Sequence, residues 1–289
     1  MSPVSSSASS GASCGASSGP VLASGPDDEG VRTLTINRPR RKNALDDEGW
    51  AALAAHLTTT AGDGSRALVL RGAGGDLCAG ADLSGGGPDS HPLERMRRIN
   101  RVPLALHELG VPSIAVVDGV AVGAGWNLAL GCDLVVATPR SRFSQIFARR
   151  GLSLDLGGSW LLPRIVGMQQ AKRLALLAEM IDGTEAHRLG LVTYLVEPDE
   201  VDGVVADLAS RLAAGPPVAL AQTKALLHSA VDRTLPEALA DEARAQSVNL
   251  AGDDAAAAFT AFREKREPQF TGGWAPNRAA PGDGQAPPK

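Results

Sequence analysis

Short apolar runs and longer amphipathic stretches follow each other along the chain. Residues 31–37 alternate apolar and polar positions, the period of a half-buried strand. Residues 67–70, 113–117 and 134–137 are apolar runs of the length of fully buried strands. Between them helices are predicted. One is capped by Asp46 and carries Trp50, Leu53, Ala54 and Leu57 at helical spacing. Another runs from about residue 93 to 109, with Met96, Ile99, Val102 and Leu106 turned inward. A surface loop is expected before it, over residues 85–92. From Ser159 the pattern is almost wholly helical, with breaks near Gly167, Gly183 and Gly215-Pro216 and one short strand over 192–196. Strands and helices in alternation predict an α/β fold with mostly parallel pairing.

The first 26 residues are almost entirely Ser, Ala, Gly and Pro, and 272–289 are again rich in Gly, Pro and Ala. Both read as flexible tails. The expected organisation is tail 1–26, core domain 27–210, C-terminal helical region 211–271 and tail 272–289. No Lys or Arg precedes Arg32, so neither a secretory n-region nor an Arg-rich transit peptide is expected. No apolar run reaches the ~18 residues of a membrane span. A cytoplasmic location without a membrane partner is expected. The net charge of -4 argues against nucleic acid as a partner. Cys14, Cys78 and Cys132 are far apart with no CxxC pair, which suits reduced thiols better than a disulfide framework or a zinc site.

Two stretches of small residues bear chemistry. The strand 113–117 runs into Asp118-Gly119 and then a Gly-Ala-Gly turn, Gly123 to Gly125, that opens a helix. The strand 67–70 leads to Leu77-Cys-Ala-Gly-Ala-Asp-Leu83. Small residues let a bound group approach the backbone, and a helix start offers N–H groups without acceptors. Such a turn can hold a phosphate, hold an oxyanion, or be a tight junction and nothing more. Two turns, each offering one N–H from Ala81 and Ala124, can aim both at one carbonyl oxygen. A pair of that kind stabilises an enolate, and losing one donor costs ~2.7–4 kcal/mol.

The motifs LCAGADL and DGVAVGAGWNLALGCDLVVA resemble those of the crotonase (enoyl-CoA hydratase/isomerase) superfamily. The resemblance continues through RFSQIFARRGLSLDLGGSWLLPRIVG and GTEAHRLGLVTYLV to FREKREPQF, nearly all of residues 31–270. It implies a spiral of ββα units, a C-terminal helical region that completes a neighbour's site, and a homotrimer or dimer of trimers. It implies an acyl-CoA thioester as substrate, with no separate cofactor, and places the two enolate-holding N–H groups on Ala81 and Ala124. Coenzyme A is expected along Arg38, Lys42 and Ala44, with adenine near Ala79, Asp82 and Leu83, and Lys265 reaching a phosphate.

Hydratase members use two glutamates, and this chain has Asn127 and Phe147 at those places. Asn127 can orient a water but cannot take its proton, and Phe147 can do neither. These two positions are expected to face the acyl group. A carboxylate remains at Asp155, where isomerase members carry their acid/base. The GGSWLLPR run and the PQFTG near the end look most like the epoxyphenylacetyl-CoA isomerase group, although Leu154 stands where that group has proline. An enoyl-CoA isomerase is the expected activity. Hydration, or hydrolysis or dehalogenation through Asp155, is the alternative, and a non-catalytic acyl-CoA-binding subunit a third. Leu152, Leu154, Leu156 and Phe147 are expected to surround Asp155 and raise its pKa, against the helix start near Ser159. Asp155 as a simple helix cap is the competing role. Asp82 is expected to fix its loop, Asp118 and Asp133 to bond backbone, Trp126 and Trp160 to pack or line an acyl pocket, and the five histidines to pack or lie at the surface.

Overall fold

A computed structural model describes residues 19–84 and 91–274. The surface loop expected at 85–92 falls almost wholly outside the described residues, as do Cys14 and all but the first three residues of the C-terminal tail. Nine strands are described: β1 Val21–Ser24, β2 Val31–Ile36, β3 Ala67–Gly72, β4 Ser113–Val117, β5 Val120–Val122, β6 Leu134–Ala137, β7 Arg142–Ser144, β8 Ile181–Asp182 and β9 Tyr194–Leu195. Ten α-helices accompany them: α1 Asp47–Thr60, α2 Pro92–Ile99, α3 Arg101–Glu108, α4 Ala124–Leu130, α5 Gly158–Leu177, α6 Gly183–Arg188, α7 Val201–Ala214, α8 Pro217–Ala230, α9 Leu235–Ala251 and α10 Asp253–Glu264.

The strands form two layers. One sheet has the order β1-β2-β3-β4-β6-β9, parallel except for β1; the other is β5-β7-β8. Strand pairs such as β4 and β5, then β6 and β7, give one member to each layer before the next helix, the ββα spiral expected. β4 is buried along its whole length. Its Ile114 and Val116 meet Val201, Val205 and Leu208 of α7. Its Ala115 and Val117 face the main core with Trp50, Leu53, Leu77 and Trp126. A central parallel strand covered on both faces has to be apolar throughout.

Four features depart from the sequence expectation. Val21–Ser24 is a strand, not tail, because Val21 is buried and the stretch pairs with β2. The helix expected over 93–109 is two, divided at Asn100, since Pro103 cannot donate to the carbonyl of Ile99. The core boundary expected at 210 lies inside α7, whose apolar face covers the sheet; the break comes at Gly215. Strands β5, β7 and β8 are too short to leave a periodic signal. The break at Gly167 is present, with φ 73° inside α5. No single helix among the described residues is long and apolar enough to cross a membrane.

Candidate active site

Two backbone turns meet at the edge of the smaller sheet. Cys78 makes an isolated parallel bridge with Ala121, and Ala81 makes another with Leu45. Val122 N donates to Cys78 O at 3.0 Å, and both Leu77 N and Cys78 N donate to Val120 O. The turns are so close that only glycine fits at the junction. A Cβ on Gly125 would overlap the Cys78 carbonyl, and one on Gly80 would lie 3.0 Å from Val122 O and 3.6 Å from Ala124 N. Gly123, at φ 57°, turns the chain into α4.

The hydrogen bonds of the Leu45–Ala81 bridge run through Gly80 O and Asp82 N. Ala81's own N–H therefore points to the opposite side. Ala124 is the first residue of α4, where no intrahelical acceptor exists. Neither amide donates to another described residue. Two free N–H groups on adjoining turns, one at a helix start, are the kind of donors that can stabilise a developing oxyanion.

Asp155 lies on the loop between a 3-10 turn, Ile146–Arg150, and α5. It does not cap α5: the N-cap is Gly157, without a side-chain bond, and Asp155 contributes only its carbonyl, to Gly158 N. Its Oδ1 is buried and has no partner among the described residues. Burial pushes its carboxyl up to about 6, against the opposing pull of the Arg95 guanidinium. Burial thus outweighs the positive charge nearby. The apolar wall differs from expectation in one member. Leu156 and Phe147 are buried, but Leu152 is 55% exposed. Arg95, on α2, had no sequence signal; its Nε donates to Asp47 Oδ1 at 2.7 Å.

Asn127 and Phe147, expected among the substrate-binding residues, are both buried. Asn127 Nδ2 donates to the Asp155 carbonyl at 2.9 Å, and its Oδ1 accepts from Gln145 Nε2 at 2.8 Å. Each end of this carboxamide is thus held by protein. The Phe147 ring packs against Gly123, beneath the turn; a Cβ there would lie 3.6 Å from its Cζ. Gln145, also missed in the sequence, is wholly buried. A lone Gln among apolar residues gives no hint of that.

The stretch expected to meet coenzyme A is built as a clamp. Arg38 donates to Ala44 O at 2.5 Å and pairs with Asp46 at 2.8 Å and Asp82 at 3.0 Å. Asn43, buried and at φ 57°, accepts from Arg38 N and donates to Ala73 O and Asp76 O. Ala79 N donates to Lys42 O at 2.9 Å, so Ala79 and Lys42 are neighbours. The Lys42 and Leu83 side chains are exposed beside them. Asp82 also accepts from Ser84 N and Oγ, as a loop-fixing residue should, and these bonds hold its carboxyl below the usual range. Lys265 ends α10 in a left-handed conformation, exposed; α10 packs on α9.

The remaining candidates are structural. Burial pushes the Cys78 thiol up to about 12, far from a reactive thiolate. His107 stacks on His228 at 4.2 Å and meets Trp160 edge-on at 5.5 Å. Trp126 is fully buried against Phe143. Asp133 bonds backbone, at Ser113 N, whereas the Asp118 carboxylate bonds the side chains of Thr138 and Arg140. Among the described residues no three His, Cys, Asp or Glu gather as a metal site. An apolar cavity of about 170 Å³ between the C-terminal helices, lined by Val218, Val248, Ala258, Phe270 and Trp274, shares no residue with the Asp155 site.

Residues 27–273 match the family model described as enoyl-CoA hydratase/isomerase. The chain belongs to the enoyl-CoA hydratase/isomerase family. It is 40% identical over 246 residues to a probable enoyl-CoA hydratase of Rhodobacter capsulatus, covering 84% of this chain and 95% of that one. It is 39% identical over 254 residues to the 1,2-epoxyphenylacetyl-CoA isomerase of Escherichia coli, covering 85% and 96%. The crystal structure of a putative enoyl-CoA hydratase from Streptomyces coelicolor superposes with a TM-score of 0.84 at 38% identity, covering 94% of this chain and all of that one. The crotonase fold and an acyl-CoA-processing function follow from this membership.

Proposed function

We propose that the protein is an enoyl-CoA isomerase, moving a double bond in an acyl-CoA thioester with Asp155 as acid and base. The observation that carries this reading is the state of the Asp155 carboxyl: half-buried, with Oδ1 enclosed and unpartnered, and raised to about 6. A carboxylate of that basicity takes a proton from C2 of a 3-enoyl thioester more readily than an ordinary one. The C–H electrons pass into a dienolate whose oxygen is held by the Ala81 and Ala124 N–H groups. The carboxyl group then returns the proton at C4, and the double bond has moved from C3–C4 to C2–C3. Water is neither consumed nor released, and nothing is oxidised. The reaction asks for no group beyond the CoA ester itself.

Support comes from the two positions where a hydratase would keep carboxylates. Asn127 is occupied by protein partners and Phe147 is packed beneath the turn. The 39% identity to the 1,2-epoxyphenylacetyl-CoA isomerase points the same way. For coenzyme A we assign Lys42, Ala44, Ala79 and Leu83 along one edge, with Arg38 and Asp82 fixing that edge and Lys265 brought to a phosphate by a second copy. Leu227, Leu235, Leu239, Phe259 and Phe262, all exposed on α8 to α10, suit burial in a homotrimer or dimer of trimers.

Replacing Asp155→Asn tests the assignment. Isomerisation of a 3-enoyl-CoA should fall by about 10²-fold or more while CoA-ester binding persists; full activity would overturn it. Hydration remains the second reading, favoured by the similarity to the Rhodobacter capsulatus protein. Turnover of a 2-enoyl-CoA in heavy-oxygen water, with the label in the product, would establish that reading instead.

A further inference from the structure

Asn127 occupies the place where a reacting group was expected, and protein holds each end of its amide. Its Nδ2 lies 2.9 Å from the Asp155 carbonyl oxygen, and its Oδ1 lies 2.8 Å from Gln145 Nε2. The chemistry of the chain fixes both amide orientations. Asp155 offers a carbonyl, which only accepts, so the Asn127 atom facing it is the nitrogen. That leaves Oδ1 toward Gln145, which must then present its own nitrogen. The Gln145 Oε1 remains buried without a partner among the described residues. Natural proteins keep few such atoms, because each is costly.

We infer that Asn127 and Gln145 are positioning residues, a buried amide relay that sets the distance between the oxyanion donors and the Asp155 carboxyl. The inference rests on Asp155 being the acid/base proposed above. Five observations support it. The relay ends on the backbone of Asp155 itself, not elsewhere on the loop. The loop needs holding: Leu156 and Gly157, directly after it, both have positive φ, 46° and 80°. Asn127 lies on α4 three residues after Ala124, so one helical turn carries both the donor and the tether. The contact is also closed on its far side, since a Cβ on Gly158 would overlap the Asn127 carboxamide. Gln145 follows β7, whose Ser144 O accepts from Gly123 N at 2.8 Å, so the same strand end ties the relay to the oxyanion turn. The charge facing Asp155 from the packed elements is Arg95, itself paired with Asp47.

Two variants of similar size test the relay in the full chain, beside Asp155→Asn. Asn127→Leu removes the tether and Gln145→Met removes only its support. Asn127→Leu should lower kcat for a 3-enoyl-CoA by about 10²-fold, the penalty of misplacing a reacting group by an ångström, with KM little changed. The acid limb of its kcat/KM profile should move down toward the ordinary carboxylate range, as the loosened loop admits water. Gln145→Met should move both in the same direction by less. Folding is checked by circular dichroism and melting. If Asn127→Leu does not fold, Gln145→Met decides. Folded variants with parental kcat and acid limb, or a reduced kcat with an unmoved limb, overturn the relay. If Asp155→Asn is fully active, the base assignment fails and the relay with it. Loss in Asp155→Asn alone overturns the relay and spares the assignment.

Discussion

Lys224 Nζ lies 2.8 Å from Asp133 Oδ2, joining the C-terminal helix α8 to the end of the α4 segment 91 residues earlier. The pair is largely buried, with side chains 9% and 23% exposed. The same Oδ2 accepts from Ser113 N and Oγ, both at 2.7 Å. Removing one partner leaves the other charge in a poorly solvated place. Lys224→Met should therefore lower stability by about 3 kcal/mol, the low end for a broken buried pair, because the Ser113 donors remain. Urea unfolding measures it.

The raised Asp155 pKa fixes a pH dependence. If Asp155 is the base proposed above it must be ionised, so kcat/KM for 3-enoyl-CoA isomerisation should rise with pH through about 6 and level off above it. Stability should run the other way. Between the unfolded value of 3.8 and about 6 the folded state binds the extra proton, so this contribution falls as pH rises. Above pH 6 the charged carboxyl is held at a cost, which Asp155→Asn removes. That variant should be the more stable protein at pH 8, by on the order of 1–3 kcal/mol, with the advantage shrinking as pH falls below 6. Thermal melts of both proteins across pH 4 to 8 (roughly the window in which a carboxyl of this pKa titrates) would show it.

Gly125→Ala places a methyl group on the Cys78 carbonyl. Either α4 or the Cys78 turn must shift, at about 1–3 kcal/mol for overpacking. The shift separates Ala124 N from Ala81 N, so kcat should fall much further than stability alone implies. Steady-state kinetics on a sample shown to be folded would test this.

Cys78 and Cys132 are both buried with thiols pushed up to about 12. Iodoacetamide at pH 8 should leave both unlabelled in the native protein and label both in urea. Peptide mass spectrometry reads the outcome, and native labelling of Cys78 would contradict the packing around the oxyanion turn.

Much of the fold was legible because four strands carry their burial in their composition: β2 alternates, while β3, β4 and β6 are nearly continuous apolar runs. Strands of two or three residues, such as β7 and β8, have no room for a period and exist through pairing alone. Asp155 was visible as a carboxylate in a run of leucines, but the winner between burial and the helix start was settled only by the fold, which leaves Leu152 exposed and still raises the pKa by burial. Asn127 was noticed for what it lacks, but its task depends on which atoms surround it. Gln145 and Arg95 come from other segments, and only folding brings Gln145 to Asn127 and Arg95 near Asp155. The clamp at Arg38 and Asn43 was likewise hidden, since its partners lie as far away as Asp76 and Asp82.

The oxyanion donors proposed at Ala81 and Ala124 are main-chain atoms. Almost any residue that tolerates the two turns would supply the same N–H, so this half of the machinery is inherited with the backbone. The other half, on the proposed assignment, is a single removable side chain at Asp155. A lineage built this way can keep its hold on the thioester while exchanging the group that faces it. Relatives at 40% and 39% identity can thus bear the names of a hydratase and an isomerase on one scaffold.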